Sequence, residues 1–444
     1  MSEARPIAAP KTASEEREPT LAGAYRTIAV QGTGFKRFAA FLGPGYMVAT
    51  GYMDPGNWAT ALAAGSRFGT ALLFIVIASS LMAIVLQALS ARLAIATGLD
   101  LAQICRREFG RPAAFCLWLI AETSIIATDL AEVIGTAIGI KLLTGLPLWA
   151  GIVITGLDVF LVLGLQSVGF RKLEGLVVSL LIVIALCFAL QLALARPDLT
   201  SIVQGLMPSG DILIDKDMLY LALGILGATI MPHNLYLHSG LMLTRRFGRS
   251  DEAKTQAIRF ALWDSGLALV FALMINASIL ILAAATFNVA GHYEMADLQE
   301  AYHMIGPLLG SDLAAKLFGL ALLACGLNST ITATLAGQIV MEGYIKLRMS
   351  PFMRRLLTRG LAIFPAMGVI LFAGESEAGR LLVLSQVILS LGLPFAMIPL
   401  VHFTASSKLM GVHAAPKLVI GVAVMICVVI TGLNVKLLFD LMTG

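Results

Sequence analysis

The chain has 444 residues, 58% of them hydrophobic and only 13% charged, with a mean hydropathy of +0.88 and a formal net charge of +4. A soluble domain averages about 25% charged residues, so these values exclude an ordinary soluble enzyme or binding module. The basic residues sit in short segments and form no folded basic face, which argues against nucleic acid as a partner.

Residues 1–35 stand apart. The stretch MSEARPIAAPKTASEEREPT is polar and rich in Pro, Ala and Glu, and it has no apolar h-region. It reads as a disordered cytoplasmic tail and not as a signal peptide. Residues 36–444 read as one membrane domain. Apolar runs recur along it, each long enough to cross about 30 Å of hydrocarbon. The all-α, polytopic reading has eleven spans, at 38–66, 70–97, 112–140, 146–166, 173–195, 217–243, 256–287, 312–344, 355–374, 380–403 and 416–441. Turn signals separate several of them, among them GRP at 110–112, TGLP at 144–147, ARPD at 195–198 and RRFGRSD at 245–251. With the N-terminus inside, 24 of the 31 Lys and Arg fall on inner segments and 7 on outer ones. That bias predicts an inside N-terminus, an outside C-terminus and an odd number of spans.

Span one contains MDPGNW, Met53 to Trp58, in the middle of an apolar run. Pro removes an N–H and clashes with the preceding turn, and Gly accepts unusual backbone angles. The span is therefore predicted to break and to free backbone carbonyls. Such carbonyls are tolerable at membrane depth only where they line a cavity or bind something. Asp54 offers a carboxylate there and Asn57 an amide oxygen. Asp54 could instead be a satisfied packing residue, but charge inside a bilayer is costly and usually functional. Asn57 could instead cap the second half-helix.

Span three, LWLIAETSIIATDLAEVIG, carries Glu122, Asp129 and Glu132. Asp129 and Glu132 share one helix face. Three acids in one span are expensive unless paired, hydrated or protonated. His233, His238 and Arg359 are available as partners, and His titrates nearest physiological pH. The acids read either as a proton route or as an ion-pair network that fixes helix packing.

Span six repeats the pattern of span one. LGILGATIMPHNLYLHSGL places Met231, Pro232, His233 and Asn234 inside an apolar run. Breaks in spans one and six predict a five-plus-five inverted repeat, with a site where the breaks meet. A carboxylate with carbonyl oxygens suits a divalent cation. The Met231 thioether adds affinity for Mn2+, Fe2+, Co2+ or Cd2+ and offers nothing to Ca2+ or Mg2+. Met also fills core gaps, but the place of Met231 beside Pro232 favours a ligand. His292, His303, His402 and His413 read as ordinary. The five cysteines, Cys105, Cys116, Cys187, Cys325 and Cys427, are scattered and read as inert thiols. There is no G-x-x-x-x-G-K-[ST] loop to bind ATP, so a secondary carrier driven by ion gradients is expected, with no resident cofactor and no enzymatic activity.

DPGN in span one and ATIMPHN in span six resemble the Nramp family of proton-coupled divalent metal transporters. So do TDLAEVIG in span three, GLNSTITATLAGQIVMEG in span eight and LSQVILSLGLPFAMIPL in span ten. The resemblance covers about residues 36–440 and is nearest to the bacterial manganese-transporting branch. It implies a LeuT-like fold, with repeat one at about 38–195, repeat two at about 217–403 and a peripheral helix at about 416–441. It implies metal binding by Asp54, Asn57, Met231, the backbone carbonyl of Ala228 and, in some conformations, Gln386. It implies a proton route through Asp54, His233, Glu132, Asp129 and Arg359, with Glu122 further along. Arg354 and Arg355 lie just before Arg359 and compete for its place. The implied function is import of Mn2+, and of Fe2+ and similar metals, with protons across the inner membrane of a bacterium, by a monomer in the lipid bilayer.

Overall fold

Two of the helical segments break where proline follows a polar or sulfur-bearing residue inside an apolar run. The computed structural model describes residues 25–30, 34–157, 160, 164, 170–295, 297–345 and 351–443. After a short helix, Gly34–Phe41, span one is Pro44–Gly51 followed by Pro55–Phe68. Span six is Lys216–Thr229 followed by Pro232–Met242. Spans two, three and five are Leu73–Thr97, Leu101–Thr144 and Phe170–Ala195. Spans seven, eight and nine are Asp251–Ala283, Asp312–Ile345 and Pro351–Ala373. Span ten is Ala378–Gly392 followed by Pro394–Ala405, and span eleven is Lys417–Thr443.

Among the described residues, nine helical segments are long and apolar enough to cross a membrane. The two predicted spans outside that set have simple reasons. Span one is cut into short halves. The helix of span four, Leu148–Thr155, runs toward 158–159, 161–163 and 165–169, which lie outside the described residues.

The turn signal GRP at 110–112 stands where two helical stretches meet: Gly110 leaves the helix, at φ 76° and ψ 178°. A glycine in this left-handed region lets the chain turn there. The segment 288–311, outside the predicted spans, contains a helix, Leu298–Leu309, started by Asp297 accepting the Gln299 N–H at 2.7 Å. Residues 25–30, expected within a disordered tail, are placed against the rest of the chain. Residues 1–24 and 31–33 lie outside the described residues, but Ile28–Ala29 pairs in parallel with Arg245–Arg246. The Arg26 N–H reaches the Leu243 carbonyl at 2.8 Å, and the Ile28 N–H reaches that of Thr244 at 3.1 Å.

The start of span one is held by charge. Arg245, fully buried, donates to the Phe41 and Leu42 carbonyls at 2.9 Å each and pairs with Glu174 of span five at 2.7 Å. Asp264 of span seven accepts the Gly43 and Gly45 N–H groups at 3.2 and 2.7 Å. Gly43 has φ 136°, and a Cβ there would strike both Arg245 and Glu174. Span eight packs along spans three and five, and the first half of span six packs along span ten. The core thus surrounds both breaks.

Candidate metal centre

Each proline at a break removes an N–H, so the carbonyl four residues earlier loses its helical partner. Pro55 does this to Gly51, and Pro232 to Ala228. The break in span one is closely stitched. The Tyr52 carbonyl accepts from Asn276 Nδ2 of span seven at 2.8 Å and also from Asn57 Nδ2. The Met53 carbonyl accepts from Cys325 Sγ. Asp54 is the N-cap of the second half-helix, with φ −68° and ψ 162°, and its Oδ1 accepts the Asn57 N–H at 2.8 Å. A carboxylate at this end also meets the positive pole of the helix. The capping role open to Asn57 therefore belongs to Asp54.

Span ten closes over this carboxylate. Gln386 Nε2 donates to Asp54 Oδ2 at 3.2 Å, and Gln386 Oε1 is buried without a hydrogen-bond partner. Two glycines make the approach possible. A Cβ on Gly56 would strike the Gln386 side chain, and one on Gly227 would strike the backbone of Gln386 and Ser390. Met231 caps nothing with its side chain; its sulfur lies 3.6 Å from Asn234 Nδ2. A Cβ on Gly51 would in turn strike Asn234, so the two breaks touch. Asp54, Asn57, Ala228, Met231 and Gln386 are each at most 2% exposed, which makes this an enclosed state of the site.

The donor set fits a divalent transition metal. It holds one carboxylate, two side-chain amides, a carbonyl freed by proline and a thioether, hard and soft donors together. Among the described residues, no three of His, Cys, Asp and Glu gather to form a tighter cage. Beyond the break lies a cavity of about 380 Å3, lined by Ala63, Leu221 and Val383 and by the ion pair of Arg67 with Asp217. Val383 is one helical turn before Gln386, so this cavity ends near the enclosed donors.

The acids of span three each meet an arginine of span nine. Glu122 pairs with Arg354 and Asp129 with Arg355, both at 3.1 Å. Arg359 lies between Asp129, at 3.8 Å, and Glu132, at 3.5 Å. Thr330 of span eight donates to Glu132 Oε2 at 3.2 Å and accepts from Arg359 at 3.1 Å. Asp129, Glu132, Arg355 and Arg359 are at most 1% exposed, so losing one partner would strand a charge. The competition among the three arginines thus resolves as a shared row. His233 lies beside the row, with Nδ1 3.3 Å from Oγ1 of Thr128, the residue before Asp129; that hydroxyl donates to the Ser124 carbonyl at 3.1 Å. His238 is held elsewhere. Its Nδ1 meets Gln87 Oε1 at 2.9 Å, and Gln87 Nε2 donates to the Tyr52 hydroxyl at 2.9 Å. Gln87, Asn276, Thr128 and Thr330 were not singled out by sequence reasoning, because a lone amide or hydroxyl in an apolar run gives no sign of its partner.

The chain is similar to known proteins in sequence and in fold. The family described as natural resistance-associated macrophage protein-like, Nramp, matches residues 45–440. A divalent metal cation transporter MntH of Agrobacterium fabrum is 60% identical over 408 residues, 92% of this chain and 88% of that protein. Among solved structures, a manganese transporter of Eremococcus coleocola, in complex with an aromatic bis-isothiourea substituted compound, superposes with a TM-score of 0.86. It is 38% identical, over 95% of this chain and 90% of that one. MhsT in complex with L-phenylalanine, 14% identical, shares the fold with a TM-score of 0.58 over 90% of this chain and 97% of that one.

Proposed function

The chain belongs to the Nramp family, a family of membrane transporters with a LeuT-like fold and no enzymatic activity, and from that premise we propose that it imports Mn2+ with protons across a bacterial cytoplasmic membrane. Fe2+ and similar divalent transition metals are further cargo of the same site. The observation that carries the reading is the unpartnered Gln386 Oε1 beside the buried Asp54 carboxylate, at a break that also presents Met231. A cation there takes oxygen from Asp54, Asn57, Gln386 and the Ala228 carbonyl, and sulfur from Met231.

The thioether is the selective element. It is neutral and soft, so it favours Mn2+ over Mg2+ without making release too slow for a carrier. A metal ion arrives through the cavity beside Arg67 and Asp217 and leaves when the half-helices reorient; such motion of one repeat against the other gives alternating access. The row Asp129, Glu132 and Arg359, with Thr128 and His233 beside it, carries protons from Asp54 toward Glu122. With the N-terminus inside, a divalent ion moving inward gains about 2.3 kcal/mol per charge per 100 mV of membrane potential. The protein works as a monomer in the bilayer.

Proteoliposomes containing the purified protein and an internal pH dye test this, with Mn2+ outside and Mg2+ in large excess. The native chain is expected to take up Mn2+ and acidify the lumen despite the Mg2+. Met231→Ala is expected to lose resistance to Mg2+ about tenfold, the order of one good ligand contact. No Mn2+ uptake by the native chain, or equal inhibition by Mg2+ in both proteins, would sink the proposal.

A further inference from the structure

Span eleven has the composition of a helix that only faces lipid, with a mean hydropathy of 2.6 in its most apolar window. Asn434 does not fit that description. It is 4% exposed, and its side chain makes two hydrogen bonds, both to Ser390 of span ten. Nδ2 donates to the Ser390 carbonyl at 2.9 Å, and Oδ1 accepts from Ser390 Oγ at 3.1 Å.

The Ser390 carbonyl is available because of Pro394. In an unbroken helix it would accept the N–H of residue 394, and proline has none. The Leu393 N–H takes one side of the oxygen at 3.2 Å, and the helix restarts at Pro394. A carbonyl has room for two donors, and inside a membrane an unmade bond is costly. Asn434 supplies the second donor. Pro394 thus does to Ser390 what Pro232 does to Ala228, with the difference that a neighbouring helix takes up the freed oxygen.

Ser390 lies one helical turn from Gln386. The backbone between them presses on Gly227, the residue before Ala228, where no Cβ fits. Gln386 Nε2 in turn holds Asp54 Oδ2 at 3.2 Å. A continuous line of contacts therefore runs from Asn434 through Ser390 and Gln386 to Asp54. We propose that Asn434 is a positioning residue: it fixes the break in span ten so that Gln386 is presented to the metal, which makes span eleven part of the metal-binding apparatus. This inference rests on the reading of Gln386 as a donor.

The test measures initial rates of Mn2+ uptake in proteoliposomes for the native chain, Asn434→Asp, Asn434→Leu and Gln386→Ala, and for the first two changes in Gln386→Ala and Pro394→Ala backgrounds. Asn434→Leu removes the donor without adding a charge, whereas Asn434→Asp adds a charge when ionised and donates again through its O–H when protonated, so the leucine variant carries the reading. Loss of the amide donor is expected to raise KM for Mn2+ about five- to tenfold with kcat nearly unchanged. The rise should vanish in Gln386→Ala. It should shrink in Pro394→Ala, where the restored N–H serves the Ser390 carbonyl instead. A merely structural role for Asn434 would lower the amount of folded protein or kcat and would add the same factor in every background. If Asn434→Leu does not fold, the same series is run with Asn434→Ala and decides alone. Native uptake together with an unchanged KM in the donor-free variant, or an undiminished rise in Gln386→Ala, overturns the inference and leaves the proposed function standing. A native chain that takes up no Mn2+ overturns both.

Discussion

The two broken helices solve the same backbone problem in opposite ways. At the break in span one, the Tyr52 and Met53 carbonyls are taken up by Asn57, Asn276 and Cys325, and the Asp54 carboxylate is bound on one side by the Asn57 N–H and on the other by Gln386. At the break in span six, proline frees the Ala228 carbonyl, and Met231 stands at the cap position without capping. Span one carries the charge and is held rigid. Span six carries neutral donors. The proposed cation site, divided in this way, would keep its one fixed charge preorganised and draw selectivity from groups that bind weakly enough to let go.

If that division holds, damage to the two breaks should differ in kind. The largest effect belongs to the charge. Asp54→Asn keeps the shape and most of the capping, yet Mn2+ uptake should fall roughly a hundredfold, the equivalent of the ~3 kcal/mol upper value for bonds to a charged group. Uptake within a few-fold of native would mean that span one holds the site without charging it. Met231→Ala, on the neutral side, should instead move selectivity between Mn2+ and Mg2+ more than total uptake.

The row in span three sets a second contrast, between metal and proton. Glu132→Gln should cut lumen acidification per Mn2+ about tenfold while KM for Mn2+ stays within about twofold. Equal losses in both fluxes would make the row a structural network and not a route. The smallest effect is expected at the stitching itself. Asn276→Leu leaves the Tyr52 carbonyl held by Asn57 Nδ2, and about 1 kcal/mol of lost hydrogen bonding should lower the thermal midpoint by a few degrees with selectivity unchanged. A change in metal preference from Asn276→Leu would erase the distinction between stitching and donors.

Much of this was legible in the residue order. Proline and glycine beside an acid or a thioether announced both breaks, and unbroken apolar runs placed spans two, five, seven, eight, nine and eleven within a few residues. GRP at 110–112 marked a turn as well, since Gly110 leaves the helix between two helical stretches. The helix Leu298–Leu309 was hidden by its polar first turn and by Pro307 near its end. The place of Asp54, Asn57 and Met231 at the two breaks could be read from the prolines beside them. The assignment of Arg354, Arg355 and Arg359 could not, because three arginines on neighbouring turns pair with three acids only once span nine lies against span three. Asn276 and Asn434 were invisible for a related reason: an amide in an apolar helix declares that it needs a partner and never which one.

The short strand near the N-terminus has a consequence for how the molecule is made. Arg26 donates to the Phe247 carbonyl across 221 residues of sequence, and Ile28–Ala29 pairs only with Arg245–Arg246. The strand leaves the ribosome long before its partner exists. At roughly 5–20 residues per second it must wait on the order of ten seconds or more. Span one meanwhile lacks Arg245, the cation that grips the carbonyls at its entry. Span one is therefore among the last helices to be secured, and its final seating waits for the segment that follows span six.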